Sequence, residues 1–172
     1  MTAFRHRIAT LDDLATIVAI YNSTIASREV TADTEPVTTE SRMGWFLDHP
    51  PTRRPLWVIE RAGDDAARPE ILGWVSYSNF YGRPAYSGTA EVSIYIAEAW
   101  RGKGLGRYCL EQAMAFAPQI EVHTLLGFIF GHNAASLGLF AQYGFSTWAQ
   151  LPKVANLDGI ERDLIIVGKR VV

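Results

Sequence analysis

The run Arg101-Gly102-Lys103-Gly104-Leu105-Gly106 is where residue types and spacing most directly suggest chemistry. Glycine recurs at every second position, cations stand between and beside the glycines, and the run separates a β-rich segment from one with helical periodicity. At the start of a helix, backbone N–H groups without intrahelical partners point outward, and the dipole favours an anion by about 0.3–1 kcal/mol. Missing Cβ atoms let a ligand approach. Arg101, Lys103 and Arg107 add positive charge suited to a diphosphate, so the run reads either as a local anion site or as a glycine-rich strand-to-helix turn with solvated charges. Spacing excludes two familiar phosphate loops. The dinucleotide pattern G-x-G-x-x-G from Gly102 needs glycine where Arg107 stands, and G-x-x-x-x-G-K-[ST] fails at both Ala97 and Gly104.

A second reactive group lies just upstream. The segment Thr89–Ile96 alternates Glu91, Ser93 and Tyr95 against Val92, Ile94 and Ile96, the period of a strand, and puts a carboxylate on its polar face. Such a group can take a proton. His6, His49, His123 and His132 are scattered without metal-ligand spacing, so no metal is expected. Cys109 falls on the apolar side of the helix after the glycine run and reads as a buried structural thiol.

The elements that position these groups belong to a chain of 172 residues, 48% hydrophobic and 20% charged, which fits one globular domain, 1–172. Sixteen basic against eighteen acidic residues give a net charge of -2, so nothing global draws the chain to nucleic acid or to an anionic membrane. One cysteine permits no internal disulfide, no apolar run reaches the roughly 18 residues of a membrane span, and the start from Met1 to Arg7 lacks the stretch of a signal peptide. A cytoplasmic location is the expectation.

Residues 4–8 alternate as a strand, and Thr10 caps a helix carrying Leu14, Ile17, Val18, Tyr21 and Ile25. Residues 28–37 read as loop. Thr38 or Thr39 opens a second helix, with Met43, Phe46 and Leu47 on one face, that His49-Pro50-Pro51 stops. Leu56–Arg61 and 71–78 form an antiparallel hairpin turning through Gly63-Asp64-Asp65, and a loop over 79–88 leads to the Glu91 strand. A helix over 105–117, a buried strand over 122–130 and a short helix opened by Asn133 or Ser136 and closed after Tyr143 by Gly144 follow. A terminal hairpin, 145–152 and 161–170, turns at Asn156-Leu157-Asp158-Gly159. This order, β-α-α-β-β-β-α-β-α-β-β, describes one α/β domain with a mixed sheet.

Arg101-x-x-Gly104-x-Gly106 between strand and helix resembles the acyl-CoA diphosphate loop of GNAT-type N-acetyltransferases. Asn133-Ala134-Ala135-Ser136, with Leu139 and Gly144-Phe145, is similar to the second cofactor segment of that fold. Residues 83–96, Ile20-Tyr21-Asn22, Thr34-Glu35-Pro36-Val37 and Asp163 resemble the phosphinothricin and methionine-sulfone acetyltransferase branch, so the likeness spans nearly the whole chain. It implies a GNAT-like α/β (α+β) domain, a mostly antiparallel sheet flanked by helices.

The resemblance also implies acetyl-CoA as cosubstrate and a small amino acid or analogue as acceptor. Glu91 would be the general base, and the backbone of Ile94, Tyr95 and Ile96 would bind the pantetheine and thioester. Residues 101–107, that is Arg101, Gly102, Lys103, Gly104, Leu105, Gly106 and Arg107, would hold the diphosphate, and Asn133 would bond the cofactor through its amide. Ser136 would either cap its helix or reach the cofactor. Arg83 and Tyr86 would bind substrate, the guanidinium suiting a carboxylate. Family members commonly have tyrosine or histidine where this chain has Phe140, which cannot donate a proton, so no general acid is assigned. Relatives in this branch are often homodimers. The residues leave open another acceptor amine, such as a peptide N-terminus, polyamine or antibiotic, a catalytically silent acyl-CoA-binding module, and a nucleotide-binding regulator using the same glycine turn.

Overall fold

The computed structural model describes residues 3–64 and 66–172; Met1, Thr2 and Asp65, the last residue of the expected Gly63-Asp64-Asp65 turn, lie outside them. Seven strands form one sheet in the order β1-β2-β3-β4-β5-β7-β6. They are β1 (Phe4–Ile8), β2 (Leu56–Arg61), β3 (Ile71–Asn79), β4 (Thr89–Ile96), β5 (Thr124–Phe130), β6 (Ser146–Leu157) and β7 (Ile160–Arg170). Helices α1 (Leu14–Ile25), α2 (Met43–Leu47), α3 (Leu105–Phe116) and α4 (Ala134–Gln142) cover it. All pairings are antiparallel except β4 with β5.

Strand alternation divides the core between the two faces. Leu56, Val58 and Trp74 pack under α1 with Ile17 and Ile20, while Trp57, Ile59, Val75, Tyr77, Ala90 and Val92 pack under α3 with Leu105, Cys109, Leu110 and Ala113. The buried Tyr77 hydroxyl donates to Ala113 O at 2.7 Å, tying β3 to α3. Arg7 forks onto Asp13 at 2.7 and 3.0 Å and joins β1 to the entry of α1, where a 3₁₀ turn over Leu11–Asp13 precedes the α-helix. The terminal hairpin runs longer than its sequence period suggests, because register shifts after Thr147 and Leu151 hide the continuation of β6 to Leu157.

The feature that matters for function is where β4 and β5 part. Their parallel ladder holds for three residue pairs, Thr89 with Thr124, Ala90 with Leu125 and Glu91 with Leu126. On its other side β4 stays paired with β3 as far as Ile96. Beyond Glu91 the half of β4 that carries Ile94, Tyr95 and Ile96 is therefore free of β5, and a cleft opens between the strands.

Candidate active site

The cleft has a volume of about 140 Å³ and is walled by β4 from Glu91 to Ile96, by Gly127 to Ile129 of β5, and by Asn133, Ser136, Leu139 and Phe140. Backbone groups of an extended strand with a vacant edge can bond an extended ligand as a further strand would. Toward the N-terminus of α3 the cleft meets a groove of about 580 Å³ that shares Ile94, Tyr95, Ile96, Asn133, Ser136 and Leu139 with it and adds Arg101, Gly102, Gly104, Gly106 and Arg107.

The glycines serve different ends. Gly102 and Gly104 have φ of +72° and +86°, and a Cβ on either would meet nothing within 4 Å, so backbone conformation demands glycine and the space in front stays open. Gly104 caps α3 and has no side chain to accept from the first turn, which leaves the N–H groups of Leu105, Gly106 and Arg107 available to a ligand. A Cβ on Gly106 would lie 3.1 Å from Leu139 Cδ2, so this glycine also lets α3 approach α4. The Leu105 side chain is buried in the core and offers the groove only its backbone. Lys103 does not line the groove; its Nζ sits 4.8 Å from the centroid of the Trp100 ring.

On the α1 face of the sheet a third void of about 230 Å³ is lined by Tyr21, Arg42, Trp45, Trp74, Ser76, Ser78, Glu91, Ser93 and Tyr95, among others. The register explains its wall, since Trp74 pairs with Tyr95, Ser76 with Ser93 and Ser78 with Glu91. Trp74 and Tyr95 stack at 4.3 Å and 14°. Glu91, Ser93 and Tyr95 line both this cavity and the cleft. Glu91 is half-buried; loss of water raises its pKa above the ordinary 4.5, and the Ser93 hydroxyl, donating at 3.4 Å, partly offsets the rise. Beside the cavity, buried His49 donates Nδ1–H to Trp45 O at 2.6 Å, and its Nε2 is 3.4 Å from Ser78 Oγ.

Several expected residues sit elsewhere or have partners within the protein. Asn133 lines cleft and groove, and its amide also has partners within the protein: Oδ1 accepts from Ser136 N at 3.1 Å and Nδ2 donates to Glu29 O at 3.1 Å. It is the cap of α4, and Ser136 is the residue capped, its half-buried side chain facing cleft and groove. Asn133→Ala is therefore expected to cost about 0.5–2 kcal/mol, read by thermal unfolding. Arg83 and Tyr86 are exposed on the turn around Pro84–Tyr86 and do not line the cavity. Tyr86 packs instead with Phe80 and Tyr81, at 5.6 and 5.8 Å. Phe140 is buried against Phe145, and Tyr143 donates its hydroxyl to Glu111 at 2.6 Å, outside the cleft.

Residues 17–145 match the Acetyltransferase (GNAT) family. The chain belongs to that family. This acetyltransferase is 53% identical over 163 residues, 95% of its length and 96% of the relative's, to YwnH of Bacillus subtilis (strain 168), provisionally named a phosphinothricin acetyltransferase. It is 34% identical to the L-methionine sulfoximine/L-methionine sulfone acetyltransferase of Pseudomonas aeruginosa, over 92% of this chain and 89% of that protein. The structure of yncA from Salmonella typhimurium with its cofactor acetyl-CoA superposes with a TM-score of 0.87 at 28% identity, over 99% of this chain and 95% of that one.

Sequence reasoning missed Arg42, Trp45, Trp74, Ser76 and Ser78 as cavity walls. The β3 residues carried a usable signal, because they alternate in phase with Glu91, Ser93 and Tyr95 across the pairing. Arg42 carried none, since a charged residue in a short amphipathic helix reads as solvated.

Proposed function

We propose that this acetyltransferase uses acetyl-CoA to acetylate the α-amine of a small amino acid or analogue, of the methionine-sulfone or phosphinothricin type, by direct attack on the thioester. One observation carries the reading: Glu91 forms part of the wall of both the cavity on the α1 face and the cleft at the point where β4 and β5 separate. The cavity, at about 230 Å³, is smaller than the roughly 300–1,000 Å³ of pockets for drug-sized ligands, and suits a small acceptor.

In this reading the groove at Arg101, Gly102, Gly104, Gly106 and Arg107 holds the diphosphate and the free edge of β4 holds the pantetheine. Its donor chemistry fits: uncapped amides and two guanidinium groups face an open space. Bound acetyl-CoA supplies the acetyl group as a thioester. Glu91 takes the ammonium proton, directly or through water, and a β4 amide on the vacant edge stabilises the developing oxyanion. Ordinary thiols titrate near 8.5, so the thiolate can depart without a tyrosine at position 140. Phe140→Tyr is accordingly expected to leave kcat nearly unchanged, checked by free-thiol release. The same reading includes a cytoplasmic location and a homodimer; exposed Trp148, Val154 and Ile160 on the terminal hairpin support an intersubunit face.

The test is a panel of amino acids led by methionine sulfone, scored for acetyl-CoA consumption beside polyamines, peptides and amine antibiotics. Turnover confined to the amino acids supports the acceptor assigned here. Failure of every amino acid would remove it.

A further inference from the structure

We propose that Arg42 binds the carboxylate of the acceptor, and that this contact makes the enzyme select α-amino acids over amines of the same shape that lack a carboxylate. The inference rests on the amino-acid reading above and assigns the group that recognises it. Among the described residues lining the acceptor cavity, Arg42 is the one cation and Glu91 the one anion. An amino acid presents the matching pair, an ammonium for Glu91 and a carboxylate for Arg42.

Arg42 is held for this role. Its guanidinium carbon lies 4.8 Å from the centroid of the Tyr21 ring, and Nη2 donates to Asp33 Oδ2 at 2.6 Å. Tyr21 also donates its hydroxyl to Asp33. One contact to Asp33 occupies a single N–H of a fork that has five, so the remaining donors can meet a planar carboxylate. Arg42 and Asp33 side chains are 27% and 43% exposed, so Asp33 is the more screened by water of the two, while Arg42 lines the cavity. Arg83, the cation that the sequence favoured for a carboxylate, is exposed and outside the cavity.

The test compares methionine sulfone with its decarboxylated amine in the unaltered enzyme and in Arg42→Met, Arg42→Lys and Arg83→Met. The unaltered enzyme is expected to prefer the amino acid in kcat/KM by on the order of 10–100-fold, the range of a charge-assisted hydrogen-bonded pair. Arg42→Met should erase that preference through KM for the amino acid, with the amine's kinetics and acetyl-CoA binding by calorimetry retained. Arg42→Lys should restore part of it, and Arg83→Met should leave it intact. Equal loss for both substrates in Arg42→Met, or loss of the preference in Arg83→Met instead, overturns the assignment. No preference in the unaltered enzyme, a comparison that needs no variant, overturns it as well. Turnover of neither compound beside turnover of another amine overturns the acceptor reading itself, and is recognisable before any variant is made.

Discussion

Replacing Glu91 with glutamine is expected to lower kcat/KM for the acceptor by about 10²–10⁴-fold near neutral pH, the usual contribution of a positioned general base. The pH profile separates this from a binding defect. In the parent, activity is expected to fall on the acid side as Glu91 becomes protonated, at a pH above the ordinary carboxylate value because burial raises its pKa. In Glu91→Gln that limb should vanish, and the rate should climb with the fraction of acceptor already present as free amine. A variant with the parent's rate at every pH would mean that Glu91 is not the base.

The same substitution should stabilise the fold. A carboxylate whose folded pKa lies above its unfolded one binds more protons when folded, so stability falls as pH rises through the unfolded value and the loss is complete above the folded one. Glutamine removes this penalty. Glu91→Gln is thus expected to melt higher than the parent at pH 8 and to converge with it below pH 4, and differential scanning calorimetry reads the difference. Loss of activity with gain of stability is the pattern of a desolvated functional group.

Gly73→Ala should produce the second large effect, through a residue that touches neither substrate. Gly73 lies on β3 opposite Ile96, and a Cβ there would stand 2.6 Å from Tyr95 O, a backbone atom that no rotamer change can move aside. The expected cost is about 1–3 kcal/mol, seen as a fall in Tm of about 2–4 °C per kcal/mol for a chain of this size. Relief requires the free half of β4 to shift, and that half carries the backbone assigned to the thioester. Displacement on the scale of an ångström is expected to lower kcat/KM on the order of a hundredfold. Gly138→Ala is the control. It lies inside α4 with nothing within 4 Å of an added Cβ, and should gain about 0.5–1 kcal/mol. Equal activity in Gly73→Ala and the parent would show that the position of Tyr95 and Ile96 is not critical.

Much of this was legible in the chain itself because the signals are local. Period-two alternation over Thr89–Ile96 put Glu91, Ser93 and Tyr95 on one face, and they share one cavity wall. Glycines 102 and 104 announced a turn between a strand and a helix, and both take the positive φ that glycine allows. The Ile20-Tyr21-Asn22 and Thr34-Glu35-Pro36-Val37 segments, separate in sequence, are joined by Asn22, which bonds Val37 O at 2.9 Å and Val37 N at 3.0 Å.

What only the tertiary structure decided is how far each backbone ladder extends and what lies across it. The parting of β4 from β5 after Glu91 has no side-chain signature, because backbone donors look alike in a paired and an unpaired strand. Lys103 and Arg107 are equally cationic in sequence, yet the Trp100 ring takes one and the groove the other. Arg83 and Arg42 likewise differ in nothing local that bears on a carboxylate; the packing of Trp45 on Trp74 of β3 keeps the turn before α2 beside the cavity that Arg42 lines, while Arg83 stays in water. Residue type fixes which charges and hydrogen bonds a side chain can offer, whereas the strength of that offer depends on desolvation and on neighbours distant in the chain, and those exist only once the sheet and its helices have assembled.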